Sequence, residues 1–134
     1  MKYVLAIDSF KGCLSSCEAG AAAEEALRDA VPGVEVSRLT VSDGGEGMLD
    51  AVMSAAGGSR HAVSVHDAMM RPVTAGYVTD AGGTAYIESA ASCGLTLIEP
   101  EMRSPVRATS YGVGELVADA VRRGCRNIVV GLGG

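Results

Sequence analysis

Clustered positive charge is missing from this sequence. It has 11 Lys and Arg against 16 Asp and Glu, a formal net charge of −5, and no stretch in which basic and aromatic residues alternate. Because nucleic-acid binding needs cations gathered on one surface, we expect no nucleic-acid partner. The longest basic cluster, Arg122-Arg123 with Arg126, lies where cations complement the C-terminal end of a helix.

Long hydrophobic runs are also missing. The first apolar run covers only residues 3–7 before Asp8, too short for a signal-peptide core and far below the roughly 20 residues of a membrane-spanning helix. Cys13 and Cys17 have no second Cys or His pair with which to complete a zinc site. We therefore expect a cytoplasmic protein without a membrane partner. Its 48% hydrophobic content is enough for a substantial core.

The most informative stretch is residues 42–47 (SDGGEG), which lies between a strand pattern at 34–41 and a helix pattern that starts near Leu49. In α/β sheets such a strand-to-helix turn binds ligands, and glycines there let backbone N–H groups approach an anion. Asp43 with Glu46 also fits a variant of the helix capping box, which needs no ligand. The cap does not explain the glycines, so we predict a functional turn that also caps the helix.

A second candidate site follows the strand at residues 3–7. Residues 8–12 (DSFKG) place a carboxylate, a hydroxyl, an ammonium and a glycine at the end of that strand. Lys11 is one of only two lysines, and a lysine in such a loop can neutralise a phosphate. An ordinary solvated lysine in a loop is an equally good interpretation of Lys11. Glu88, at the end of a later strand pattern, is a third carboxylate candidate.

Hydrophobic periodicity predicts an α/β fold. Residues 1–58 are predicted as strand, helix, strand and helix, which implies parallel strands with a right-handed crossover, one half of a doubly wound Rossmann- or flavodoxin-like sheet. Residues 59–110 are β-rich, and short connections imply an antiparallel insertion that is a candidate start of a second domain. The strand patterns there lie at about 60–66, 72–79 and 84–88.

The last segment, residues 111–134, combines a helix and a buried strand with a glycine-rich end. A strand that delivers such a loop normally continues into a helix. We therefore expect the sequence to be truncated.

Four segments carry a family resemblance. They are Asp8-Ser9-Phe10-Lys11-Gly12-x-Leu14-Ser15, Asp43-Gly44-Gly45-Glu46-Gly47, Tyr111-Gly112-x-Gly114-Glu115-Leu116 and Gly131-x-Gly133-Gly134. Together they resemble the amino-terminal part of the type 1 glycerate kinase family, over essentially all 134 residues. The first two segments are specific in combination, and the last two are weak alone. Departures at Ile7, Met48 and Val113 weaken possible hydroxyl contacts and leave the charged residues in place.

The resemblance implies ATP-dependent phosphorylation of a hydroxyl of D-glycerate with Mg²⁺, in a cleft of a two-domain α/β kinase of which this chain is an amino-terminal fragment that is inactive alone. Since there is no Walker A motif, a P-loop mechanism is excluded. A non-catalytic half of a split kinase or a small-anion binding module is the alternative. The position of the phosphorylated hydroxyl and the oligomeric state, with a homodimer as one option, stay open.

The candidate site residues follow from the strand ends and the resemblance together. Phosphoryl transfer depends mostly on positioning and charge neutralisation. The catalytic candidates are Asp8, Lys11 and Asp43, with Asp43 also the Mg²⁺ candidate. The candidates for binding substrate or phosphate are Ser9, Gly44, Gly45, Glu46, Gly47, Glu88, Gly131, Gly133 and Gly134.

Overall fold

A computed structural model describes residues 1–10 and 12–133 of the chain. It contains helices and strands in mixed order, with short 3-10 turns at Leu95–Leu97 and Pro100–Met102. The elements are β1 (Lys2–Ile7), α1 (Ser16–Ala30), β2 (Glu35–Thr40), α2 (Met48–Ala56), β3 (Ser59–His66), β4 (Pro72–Thr79), β5 (Thr84–Glu88), α3 (Ala90–Cys93), α4 (Tyr111–Arg122) and β6 (Asn127–Gly131).

The strands form two sheets. In the first, β1 and β2 are parallel and in register from Lys2↔Glu35 to Ile7↔Thr40, with α1 as the crossover. The second has the order β3-β4-β5-β6, antiparallel through β5 and parallel between β5 and β6. The predicted α/β class with parallel strands and an antiparallel insertion is confirmed. Within the described residues, the parallel pairs are divided between the two sheets.

The first helix, α1, begins after Ser15, which is its N-cap. The Glu18 N–H donates to Ser15 Oγ at 3.2 Å, and the Ser15 N–H donates to Glu18 Oε2 at 2.8 Å, which completes a capping box. Each hydrogen bond satisfies a backbone donor that the first helical turn leaves without a partner. This box fixes where the β1–α1 loop ends.

Strand β1 differs from expectation in its burial. Its continuous apolar run predicts burial on both faces, but its residues alternate between exposed and half-buried, and Val4 is 59% exposed. The prediction of two covered faces is wrong for this chain: in its described part the sheet has two strands, and α1, which packs against both, leaves every second residue of β1 exposed. No helix in the described part of the chain is long and apolar enough to cross a membrane.

The core lies between the second sheet and α4. Tyr77, Ile87 and Leu116 are completely buried there. Helix α4 comes very close to the end of β3, since a Cβ on Gly112 would collide with the carbonyl oxygen of His66. Ile87 of β5 belongs to this core and Val130 of β6 packs against it, and the ends of both strands lead into the site described next.

Candidate functional site

The carboxyl ends of β1 and β2 meet at one edge, where both candidate loops begin. Ser16, the first residue of α1, joins them: its hydroxyl donates to the Ile7 carbonyl at 2.6 Å and accepts from the Val41 N–H at 3.2 Å. Asp8 follows Ile7 directly, and Asp43 lies two residues beyond Val41. Both aspartates are exposed. The structure therefore brings the two loops predicted as sites to the same edge of the first sheet.

A cavity of about 500 Å³ opens between these loops. Of the predicted site residues, Ser9, Glu46 and Gly47 line it. The rest of the lining was not predicted from the sequence. The hydroxyls and thiols concentrated in the β1–α1 loop and the first turn of α1 were the pattern that could have indicated it. The other lining residues are Phe10, Gly12, Cys13, Leu14, Ser15, Ser16, Cys17, Thr40, Asp50 and Ser54.

The charges of the described cavity lining are negative. Glu46 and Asp50 are its carboxylates, and Asp50 forms an ion pair with Arg60 at the start of β3. Lys11, the predicted cation, lies outside the described residues, as does Gly134. An anionic ligand would therefore need a cation in addition to the described lining.

Asp43 organises residues 42–47, which we call the first glycine loop. Its Oδ1 accepts from the Gly45 N–H at 2.8 Å, and Ser42 Oγ accepts from the Gly44 N–H at 3.2 Å. These are local side-chain turns of the kind that Asp and Ser favour. On the other loop, Asp8 Oδ1 accepts from the Ser9 N–H at 2.7 Å.

The predicted capping box of Asp43 and Glu46 is wrong. Helix α2 begins at Met48, and its N-cap is Gly47, which has a left-handed φ of 91° and supplies no side-chain cap. Both acidic residues therefore precede the cap. Gly47 is required here because other residues rarely adopt that backbone conformation.

Glu88 supplies an acceptor to the first turn of α2. Its Oε2 accepts from the Leu49 N–H at 3.3 Å, and the residue is only 7% exposed. Burial raises the pKa of Glu88, and hydrogen bonding from the backbone of Leu49, Met48 and Gly47 partly opposes the rise. The structure thus places this third carboxylate candidate against a helix end and outside the cavity lining.

The end of β6 continues into residues 131–133, which we call the second glycine loop. It lies directly against the first: a Cβ on Gly131 would collide with the Gly44 carbonyl, and one on Gly133 would be 2.5 Å from the Gly45 Cα. Ser89 holds this loop, because its N–H donates to the Gly131 carbonyl at 3.0 Å and its hydroxyl donates to the Gly133 carbonyl at 3.1 Å. The structure therefore brings Gly44, Gly45, Gly131 and Gly133 together.

The third matched segment, at the start of α4, has a packing role. Glu115 Oε2 accepts from the His66 N–H at 2.8 Å, and both Glu115 oxygens lie 3.1 Å from His66 Nδ1. Leu116 is completely buried, and Gly112 permits the close approach to β3. These contacts dock α4 onto the second sheet, away from the cavity.

Comparison with known proteins agrees with this architecture. The sequence profile described as "Glycerate kinase family" matches residues 3–134. "Glycerate 2-kinase" of Escherichia coli K12 is 38% identical over 135 residues, covering 100% of this chain and 35% of the relative. "Glycerate kinase" of Bacillus subtilis 168 is 38% identical over 136 residues with the same coverage.

A solved structure extends the match to three dimensions. A crystal structure from Salmonella typhimurium LT2 that carries the name glycerate kinase 2 superposes with a TM-score of 0.77 at 37% identity, over 100% of this chain and 37% of that one. The chain belongs to the glycerate kinase family. It spans about a third of the length of the curated relatives it matches.

Proposed function

We propose that the protein to which this chain belongs is a glycerate kinase. It transfers the terminal phosphoryl group of ATP to a hydroxyl of D-glycerate: the hydroxyl oxygen bonds to phosphorus, the bond to the ADP oxygen breaks, and the hydroxyl proton passes to a base. The observation that carries the proposal is the meeting of Asp8 and the first glycine loop at one sheet edge, in a chain of this family. Open α/β sheets bind ligands at such edges.

Three charged residues carry the proposed chemistry. Asp8 and Asp43 project from adjacent strand ends, and either can orient the reacting hydroxyl. Lys11 is the proposed cation for the phosphates or the glycerate carboxylate, a role that rests on its place in the matched segment. Positioning and charge neutralisation are the main requirements of phosphoryl transfer, and these residue types supply both.

Asp43 fits a role in holding Mg²⁺. Among residues 1–10 and 12–133, no group of three His, Cys, Asp or Glu could hold a metal by itself. Mg²⁺ commonly binds through one or two carboxylates together with substrate phosphates and water, so a single exposed aspartate is a suitable donor. When bound, the ion would neutralise charge on the phosphoryl oxygens. Asp43 Oδ1 already accepts from Gly45, which fixes the direction of the carboxylate.

The first glycine loop contributes shape more than anion-binding amides. The Gly44 and Gly45 N–H groups donate to Ser42 and Asp43, so they are used within the loop. We propose that the small residues allow the second glycine loop to approach and leave Asp43 exposed beside the cavity. The cavity, with Ser9, Glu46 and Gly47 in its lining, is the proposed place for part of the substrate.

Thiol protection tests this location. Cys13 and Cys17 are exposed and line the cavity, whereas Cys93 and Cys125 are half-buried outside it and serve as internal controls. The test uses a protein of the relatives' length that carries this chain, and mass spectrometry measures the alkylation of each cysteine by iodoacetamide. D-glycerate, or ATP with Mg²⁺, should slow the alkylation of Cys13 and Cys17. If neither ligand changes the alkylation rates of Cys13 and Cys17, the proposed location is contradicted. ATP-dependent formation of phosphoglycerate tests the reaction itself.

A further inference from the structure

We propose that Glu88 and Ser89 are positioning residues that hold the two glycine loops together as one unit. Neither residue needs to contact a ligand for this role. The proposal assigns to Glu88 a different role from the ligand-binding one suggested by its place at a strand end. Only its kinetic consequence depends on the proposed kinase function.

The first step concerns the start of α2. A helix leaves its first backbone N–H groups without intrahelical partners, and Gly47 has no side chain with which to satisfy one. Glu88 Oε2 accepts from Leu49 instead, although 39 residues separate the two along the chain. A buried carboxylate is costly unless it is hydrogen-bonded, so this contact keeps the end of β5 against the start of α2.

The second step concerns the neighbouring residue. Ser89 is 9% exposed and holds the second glycine loop through three hydrogen bonds. Its backbone N–H donates to the Gly131 carbonyl, its hydroxyl donates to the Gly133 carbonyl, and the Gly133 N–H lies 3.3 Å from the same hydroxyl oxygen. Adjacent residues at the end of β5 therefore contact the start of α2, which directly follows the first glycine loop, and the second glycine loop.

The third step is the contact between the loops themselves. A Cβ on Gly131 would collide with the Gly44 carbonyl in the first loop and with Met48 Sδ at the start of α2. The two loops are in close contact, so neither has space to move toward the other. In an interior packed this closely, a displacement of one loop is transmitted to the other. Asp43 lies within the first loop, so its position depends on Glu88 through α2 and on Ser89 through the second loop.

Hydrogen exchange on the 134-residue chain tests the coupling directly. Glu88→Ala removes the acceptor, whereas Glu88→Gln keeps an oxygen that can accept from Leu49. We expect Glu88→Ala to speed exchange by about tenfold at Leu49 and also at the amides of residues 131–133, with Glu88→Gln much nearer to wild type. Ser89→Ala should produce the reciprocal effect and speed exchange at Leu49.

Asp67→Ala is the matched control. Asp67 is 4% exposed and accepts from the Met69 and Arg71 N–H groups in the β3–β4 turn, so its loss destabilises a different part of the second sheet. It should leave the protection of the two loops unchanged relative to the rest of the chain. The proposal is overturned if Glu88→Ala affects only Leu49, or if it raises exchange uniformly as a global loss of stability would. If Glu88→Ala does not fold, Ser89→Ala decides in the same way.

A kinetic measurement separates this proposal from the proposed reaction. In a protein of the relatives' length, Glu88→Ala should lower kcat by about tenfold or more with a smaller change in KM, and Glu88→Gln should restore most of it. Asp67→Ala should leave kcat per folded molecule unchanged. Absence of turnover in the wild type would contradict the kinase proposal, while the exchange result would still decide the role of Glu88 and Ser89.

Discussion

Gly133 and Gly45 touch through their backbones: a Cβ built on Gly133 would lie 2.5 Å from the Gly45 Cα. A side chain at position 133 therefore forces the two glycine loops apart. Gly133→Ala should destabilise the chain by about 1–3 kcal/mol, the usual cost of overpacking a close contact. Denaturant unfolding of the purified chain measures this.

Gly114→Ala is the control for that substitution. Gly114 is exposed in α4 and a Cβ there meets nothing within 4 Å, so alanine should be neutral or stabilise by up to about 1 kcal/mol through helix propensity. Equal stability changes in the two variants would show that the loops are not in the contact described.

The pKa of Glu88 predicts a pH dependence of stability. Burial raises this pKa above the ordinary value of 4.5, with a smaller contribution in the same direction from Asp50. The folded state then holds a proton that the unfolded state has released, so stability contributed by Glu88 falls as pH rises from about 4.5 through the raised pKa.

Glu88→Gln removes this dependence while keeping the size of the side chain. The free energy of unfolding of wild type minus that of the variant should therefore decrease as the pH is raised through that window. Chemical denaturation at several pH values measures the difference, and other titrating groups cancel in it. A difference that is constant or increases with pH would contradict the burial of this carboxylate.

Lys11 is tested by comparing the two lysines of the chain. In a protein of the relatives' length, Lys11→Met should lower kcat/KM for glycerate or ATP at least about tenfold, because an anionic group loses its cation. Lys2→Met is the matched control, since Lys2 pairs with Glu35 on the surface of the first sheet at 3.0 Å. Steady-state kinetics in which the two variants behave alike would remove Lys11 from the site.

Local sequence signals predicted the elements whose partners are close in the chain. The antiparallel strands β3, β4 and β5 lie within a residue of their predicted bounds, because short turns leave no other pairing. The capping box of Ser15 and Glu18 is local in the same sense, since both partners lie within one helical turn.

Contacts between distant residues could not be predicted in this way. The start of α2 depends on the left-handed Gly47 and on Glu88 from another strand, and no local pattern indicates that pairing. The contact between the two glycine loops is a property of how the sheets pack. The sequence therefore indicated candidate site residues, while the contacts between the distant segments that carry them became visible only in the fold.

Asp43→Asn tests the central claim most directly, in a protein of the relatives' length that carries this chain. Asparagine retains the oxygen that accepts from Gly45 and removes the charge, so the variant should melt within a few degrees of wild type. The measurement is ATP-dependent formation of phosphoglycerate by both proteins from parallel preparations. We predict turnover by the wild type and a loss of at least about a hundredfold in the variant, about 2.7 kcal/mol of barrier. Near-normal turnover in the variant, or none in a folded wild type, would contradict the account.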